Sequence, residues 1–297
     1  MYEQTIKIGT RKSQLALAQT KLVVEAIQKN NPDVKIELVP MMTQGDKILD
    51  KSLESFGGKG AFVSEFEEAL LKGKIDLAVH SAKDMPIKLP EGLEIIAASD
   101  REDPRDVIIT RKDNTNPLTE NSIVGTSSLR RQMQIQDQFH VQVKTLRGNV
   151  NTRLSKLLNG EYDAIILAAA GLNRIDIKEG AEFNFTFLNT NSFIPAAGQG
   201  IIAVEGRSDD DKLKTLLAGF NSINSIYCLQ TEREVLKLLN AGCSEPIGVF
   251  SQIIDNQIEL SIIYGYGNQI LRANGKALIN ERYELAQELT KGMIGKR

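Results

Sequence analysis

Four times along this 297-residue chain, a run of strand-forming residues ends in a polar or glycine-bearing turn that opens a helix. Each time, arginine stands in or just beyond the turn. This recurrence is the strongest constraint on the fold. Alternating strand and helix, with turns gathered at the C-terminal ends of strands, is the pattern of doubly wound α/β sheets. The arginines are Arg11, the pair Arg130 and Arg131, Arg147 with Arg153, and Arg174. Helix N-termini expose unpaired N–H groups and a partial positive charge. Arginine adds a planar fork that matches a carboxylate. Any one of these arginines is equally well explained by solvent or by pairing with one of the 38 acidic residues. Six placed alike predict an arginine-lined cleft between α/β domains, suited to a small molecule with several carboxylates.

Periodicity predicts the elements. Strands are expected at 5–9, 36–40, 75–79 and 93–98, with helices over 15–27 and 63–71. The proline-broken charged stretch 100–106 predicts a domain crossing, and 194–200 a return crossing before a strand at 201–204. Between the crossings, strands at 107–110, 122–125, 141–146 and 162–168 alternate with helices, and Thr126 to Ser128 read as a cap. The last part changes texture. A helix over 225–239 precedes strand-like runs at 249–254, 258–264 and 270–278, then a final helix from about 281. That order suggests an antiparallel α+β unit. The expected domains are 1–99 with 198–219, then 100–197, then 220–297.

Composition narrows the function. The formal net charge of −2 supplies no bulk field for nucleic acid or anionic lipid. No apolar run approaches the ~18 residues of a membrane span. Residues 1–10 contain no apolar signal region. A cytoplasmic protein without membrane or nucleic-acid partners is expected, and as no interface helix stands out, a monomer. Two cysteines make no disulfide scaffold, and with two histidines far apart no metal site is expected. Cys228 has helical spacing with Ile226 and Leu229 and reads as core. Cys243 lies between Gly242 and Ser244, shortly before Pro246. It reads as a loop thiol, either without a role or as a nucleophile or attachment point. In Ser81-Ala-Lys-Asp-Met-Pro86, Lys83 can hold an anion while Asp84 stabilises a cation or moves a proton. An ordinary polar turn is the plainer reading. The loop 43–60, ending in Gly57-Gly-Lys-Gly60, fits no phosphate-binding fingerprint.

Taken in order, these pieces resemble the porphobilinogen deaminase (hydroxymethylbilane synthase) family. The resemblance rests on Arg11-Lys-Ser-Gln-Leu-Ala16, Gly57 to Gly60, His80-Ser-Ala-Lys-Asp-Met-Pro86 and Arg101-Glu-Asp-Pro-Arg-Asp106. It continues through Gly125-Thr-Ser-Ser-Leu-Arg-Arg131, Leu146-Arg-Gly-Asn149, Thr152-Arg-Leu154, the segments 167–172 and 195–200, and Gly242-Cys243 with Pro246-Ile-Gly248. It implies two domains like those of type II periplasmic binding proteins plus a small C-terminal α+β domain. It also implies a dipyrromethane cofactor held by a thioether to Cys243, with no metal. Four porphobilinogen molecules are joined head to tail with loss of ammonia, and hydroxymethylbilane is released. Asp84 is implied as the catalytic group. Arg11, Ser13, Lys83, Ser128, Arg130, Arg131, Arg147 and Arg153 are implied to bind carboxylates of cofactor and substrate, with Lys59, Ser81, Thr126, Arg174 and Gln199 as further participants.

Two positions depart from the family pattern. Gln44 stands where many members carry arginine, and Glu245 brings negative charge close to the cysteine. Rival readings are a solute receptor of the same two-domain plan, which leaves the third domain and its cysteine unexplained, and a transferase acting on phosphate esters, which gives Asp84 and Cys243 no role. A nucleic-acid binder fits least, given the charge and the few aromatics.

Overall fold

The computed structural model describes residues 5–43, 63–241, 245–267 and 269–295. By contacts the chain divides into two units, residues 1–102 with 201–230 and residues 103–200 with 231–297.

Unit 1 is built on a five-stranded sheet. Its strands are β1 (Ile6–Arg11), β2 (Ile36–Met41), β3 (Leu77–Ser81), β4 (Leu93–Ala98) and β10 (Ile202–Arg207), in the order β2-β1-β3-β10-β4. The first three run parallel, and β10 lies antiparallel between β3 and β4. A sheet covered on both faces needs near-continuous apolar strands, and Leu77 to Val79 satisfy this. Leu77 and Val79 pack with Ile6 and Ile8 against Val23 and Ile27 of helix α1 (Gln14–Asn30). Ala78 points to the other face, where Phe66 and Leu70 of α2 (Ser64–Leu71) are buried. The third strand begins two residues later than its apolar run predicts. The N–H groups of Lys74 and Ile75 are bound to the Ala69 carbonyl in the turn that ends α2, so the ladder with β1 starts only at Leu77.

Unit 2 repeats the arrangement. Its strands are β5 (Asp106–Arg111), β6 (Ile123–Gly125), β7 (Gln142–Lys144), β8 (Ala164–Ala168) and β9 (Phe183–Phe187), in the order β7-β6-β8-β5-β9. Again three strands are parallel and the fourth, here β5, is antiparallel. In both sheets the antiparallel fourth strand is the one that follows a crossing. Helix α3 (Leu129–Phe139) covers one face through Ile135. Helices α4 (Val150–Leu158) and α5 (Ala169–Arg174) cover the other through Leu154, Leu157 and Leu172. The edge strand β9 and the short helix α6 (Asp211–Leu216) of unit 1 are additions to the elements expected from periodicity.

Helix α7 (Ile223–Leu239) leads to an antiparallel meander of β11 (Ile247–Ile254), β12 (Gln257–Tyr266) and β13 (Gln269–Leu278), closed by α8 (Arg282–Ile294). Cys228 is buried in α7, as its spacing predicts. The architecture is therefore two doubly wound α/β sheets of the type II binding-protein kind with a small α+β C-terminal part. Within unit 2 the meander lays Phe250 and Ile263 on Ile194, and the Val249 N–H donates to the Pro195 carbonyl at 2.9 Å.

This close approach requires glycine at 248. A Cβ there would meet the Ile194 carbonyl oxygen at 2.7 Å and Ile263 Cγ2 at 2.8 Å. Gly248→Ala is expected to destabilise the chain by about 1–3 kcal/mol through overpacking. Gly292→Ala, in α8 with open space around it, should instead stabilise by about 0.5–1 kcal/mol. Urea unfolding of both variants checks the opposite signs, and equal shifts would contradict the packing.

Candidate functional site

In unit 1, β1 and β3 are parallel neighbours, with Gly9 opposite Ala78. Their C-terminal ends therefore share one sheet edge. Arg11 closes β1, and Ser13 caps α1 by accepting from the Ala16 N–H at 3.2 Å. Ser81 closes β3 and accepts from Gln19 Nε2 at 2.9 Å. Ala82 to Asp84 then form one 3-10 turn, with the Ala82 N–H donating to the Ile201 carbonyl. Ala82 and Met85 are buried and anchor the turn from both sides. Lys83 is half-buried between them and Asp84 is exposed. The edge thus brings together Arg11, Ser13, Ser81, Lys83 and Asp84.

In unit 2 the corresponding edge lies where β6 and β8 end. Thr126 is buried, and its hydroxyl accepts from the Ser128 N–H. Ser128 caps α3 by accepting from the Arg131 N–H. Arg130 and Arg131 follow in the first turn of α3 and are only 4% and 6% exposed. Both heads converge on Asp106, which is fully buried at the start of β5, opposite Ala168. Arg130 Nη1 donates to Asp106 Oδ2 at 2.6 Å and to the Ile194 carbonyl at 2.9 Å. Arg131 donates through Nε and Nη2 to Asp106 Oδ1, at 3.0 and 2.7 Å, and through Nη1 to the Ile166 carbonyl. Gln199 Nε2 adds a bond to Asp106 Oδ1 at 3.1 Å and one to the Pro104 carbonyl at 2.7 Å. Burial lowers the Arg130 pKa from its ordinary value; the Asp106 charge opposes this and the Arg131 charge adds to it. Two guanidinium groups meet one carboxylate here, and among the described residues the buried Arg130 Nε finds no hydrogen-bond partner. The interior therefore carries surplus positive charge where strands end and a helix begins, an arrangement suited to an anion.

The other expected residues are placed as follows. Arg147 lies in the turn after β7 and is half-buried. In that turn Gly148 has φ +116°, and Asn149 caps α4 through the Thr152 N–H at 2.9 Å. Arg153, in α4, donates from Nε to the Gly148 carbonyl at 2.7 Å. Arg174 is the last residue of α5 and donates to the Gly200 carbonyl at 2.6 Å. Glu245 accepts from the Tyr264 hydroxyl at 3.5 Å. Lys59, Cys243, Gln44 and the segment 44–60 lie outside the described residues. Among the described residues no helix is long and apolar enough to cross a membrane, and no cluster of histidine, cysteine and carboxylate side chains is arranged to hold a metal ion.

Local pattern does not mark Asp106 as a site residue, although it sits in the charged stretch 100–106. The signal available was a lone acid at the start of an apolar strand with two arginines downstream. Asp106→Asn removes the shared counter-charge of two buried guanidiniums. Breaking one side of a buried pair costs about 3–5 kcal/mol, so the variant is expected to lose that much stability at neutral pH. Denaturant unfolding measures it, and a loss below about 1 kcal/mol would show that the pair does not hold the unit together.

Among solved structures, the periplasmic VFT2 domain of BvgS from Bordetella pertussis matches at 16% identity and a TM-score of 0.45, covering 75% of this chain and 87% of that one. The aliphatic sulphonate binding protein SsuA of Escherichia coli matches at 14% identity and a TM-score of 0.44, covering 80% and 70%. Likeness at this level carries no argument. Two family models do. The porphobilinogen deaminase dipyrromethane cofactor binding domain matches residues 6–215, and the porphobilinogen deaminase C-terminal domain matches residues 226–295. The chain belongs to the porphobilinogen deaminase family.

Proposed function

We propose that this chain is a hydroxymethylbilane synthase, a transferase that condenses four porphobilinogen molecules head to tail, with loss of ammonia, into the linear tetrapyrrole hydroxymethylbilane. The observation that carries the reading is the buried guanidinium cluster at the strand edge of unit 2, where Arg130 and Arg131 share Asp106. Porphobilinogen bears an acetate and a propionate, so a growing chain of its units accumulates carboxylates. A preorganised guanidinium cluster answers that need without reorganising at each addition.

The residues also suit a dipyrromethane. Its carboxylates would complete the charge balance around Arg130 and Arg131, and its point of attachment is Cys243. When bound, it supplies a pyrrole carbon as nucleophile and a primer that survives turnover. Arg11, Ser13, Lys83, Ser128, Arg147 and Arg153 bind carboxylates of cofactor and substrate, with Lys59, Ser81, Thr126, Arg174 and Gln199 in support. Asp84 meets the opposite demand. As substrate loses ammonia its methylene carbon becomes cationic, and an exposed carboxylate at the end of β3 stabilises charge that develops only on the way to reaction. It also takes up and returns protons at the pyrrole nitrogen and the leaving amine. The working protein is a cytoplasmic monomer with three domains, 1–99 with 198–219, 100–197 and 220–297, the third carrying Cys243.

Intact mass of the purified protein should exceed the sequence mass by one dipyrromethane, with the excess on a peptide containing residue 243. A chain at bare sequence mass should gain the adduct on incubation with porphobilinogen; no adduct under either condition would overturn the reading. Asp84→Asn is expected to keep fold and adduct while kcat falls by about 10²-fold or more. Wild-type turnover in that variant would remove Asp84 from the chemistry. Arg147→Leu loses a charge-assisted contact of about 1.5–3 kcal/mol, so kcat/KM should fall by about tenfold or more, and unchanged kinetics would take Arg147 out of the site.

A further inference from the structure

Within unit 2, helix α7, strand β11 and the return crossing meet at one buried carboxylate. In the part of α7 that belongs to this unit, Thr231, Glu232 and Val235 are fully buried and Leu239 nearly so, a helical spacing that turns one face inward. An acid on such a face needs hydrogen bonds to offset its burial. Glu232 has them from two directions. Its Oε2 accepts from the Gly198 N–H at 2.7 Å. Its Oε1 accepts from the Ser251 N–H at 2.8 Å and from the Ser251 hydroxyl at 2.9 Å.

Both backbone donors are ones that their own elements leave over. Strand β11 pairs with β12 along one edge, so its alternate N–H groups face outward. Two of these, at Val249 and Ser251, are taken by the Pro195 carbonyl and by Glu232. Gly198 is the third residue of a turn in which the Gln199 N–H donates to the Ala196 carbonyl at 3.0 Å, and its φ is +72°. That is the type II form, whose third residue is glycine for its positive φ and whose N–H takes no part in closing the turn.

The same turn has a second attachment. Its last residue, Gln199, reaches Asp106 and the Pro104 carbonyl, and Asp106 is the acid that Arg130 and Arg131 grip. One path from Glu232 therefore runs through Gly198 and Gln199 to the guanidinium cluster. The other runs to β11. In sequence, α7 ends at Leu239 and β11 starts at Ile247, so these two elements flank the proposed attachment point.

We propose that Glu232 is a positioning residue, which clamps α7 and β11 to the turn carrying Gln199 and so holds the arginine cluster in register with the elements that carry the cofactor. A carboxylate suits this task because its two oxygens both accept, and charge strengthens each bond. An amide in its place keeps one acceptor and turns an NH2 group toward a donor.

The clamp is read first by amide hydrogen exchange of the full-length protein. The Gly198 and Ser251 amides should be protected in wild type, and in Glu232→Gln at least one should exchange about tenfold faster or more. Wild-type rates at both amides in that variant would overturn the clamp.

The positioning role rests on the condensation reading. Porphobilinogen consumption is measured per adduct-bearing chain, so that loss of folded protein does not count. A misplacement of about 1 Å costs up to ~10²-fold in rate, so kcat of Glu232→Gln should fall by about tenfold or more while KM stays within about twofold. Gly198→Ala strains the turn at its positive φ and should reproduce the loss, so it carries the test if Glu232→Gln does not fold. Ser251→Ala removes only the hydroxyl bond, and should lower Tm while kcat stays at the wild-type value. A kcat loss in Ser251→Ala equal to that in Glu232→Gln, or wild-type kcat in the folded variant of Glu232 or Gly198, would leave Glu232 a structural residue only. A wild-type chain that consumes no porphobilinogen would overturn the condensation reading instead, and the exchange rates would still decide the clamp.

Discussion

The carboxylate of Asp106 is the point on which unit 2 is assembled. It begins the strand that follows the first crossing, and it is gripped by two guanidiniums from the first turn of α3. The same arginines reach past it to the carbonyls of Ile194 and Ile166. Gln199 reaches back to Asp106 and Pro104, and Gln134 closes a two-way bond with the backbone of Ile194. Both ends of the segment 103–200 are thus tied together through one acid and one helix. Burying three charges is expensive, and buried ion groups often add little net stability. What this one supplies is definition. The start of β5, the first turn of α3 and the return crossing satisfy their donors together only in this arrangement.

Each sheet takes its antiparallel fourth strand from the far side of a crossing, β10 in unit 1 and β5 in unit 2. The strand ends next to that insertion are where the residues proposed for binding and chemistry gather. In unit 1, β10 enters opposite Ser81, and the Ile201 carbonyl holds the turn that presents Asp84. In unit 2, β5 enters opposite Ala168 and brings Asp106 to the arginines. The crossings therefore do more than join two halves of a chain. They deliver a backbone carbonyl in one unit and a carboxylate in the other to the edges where parallel strands end.

Much of this was legible from local pattern. The cap at Ser128 follows from a polar side chain ahead of an amphipathic run, and Cys228 follows from helical spacing. Strand β9 did not, because Phe183, Phe185 and Phe187 alternate over only one short edge segment, and what makes them a strand is pairing with β5 more than seventy residues earlier in the chain. The state of Arg130 and Arg131 was also beyond local reading. An arginine on a turn and an arginine locked in an interior look alike in sequence, and the difference here is Asp106, brought in from a distant strand. For the same reason Glu205 could not be matched with His80, since their partnership depends on the register of β10 against β3.

The two units bury charged groups near their strand ends in different ways. Unit 2 places two guanidiniums on one carboxylate, and unit 1 buries one carboxylate, Glu205, 3.1 Å from the imidazole of His80. A cationic interior beneath the cap of α3 lowers the cost of holding many carboxylates at that edge. In unit 1 the strand runs on from the buried His80 to Asp84, which is exposed. The buried groups tie neighbouring elements together where each strand ends, and the residues proposed for chemistry stand on the backbone they hold.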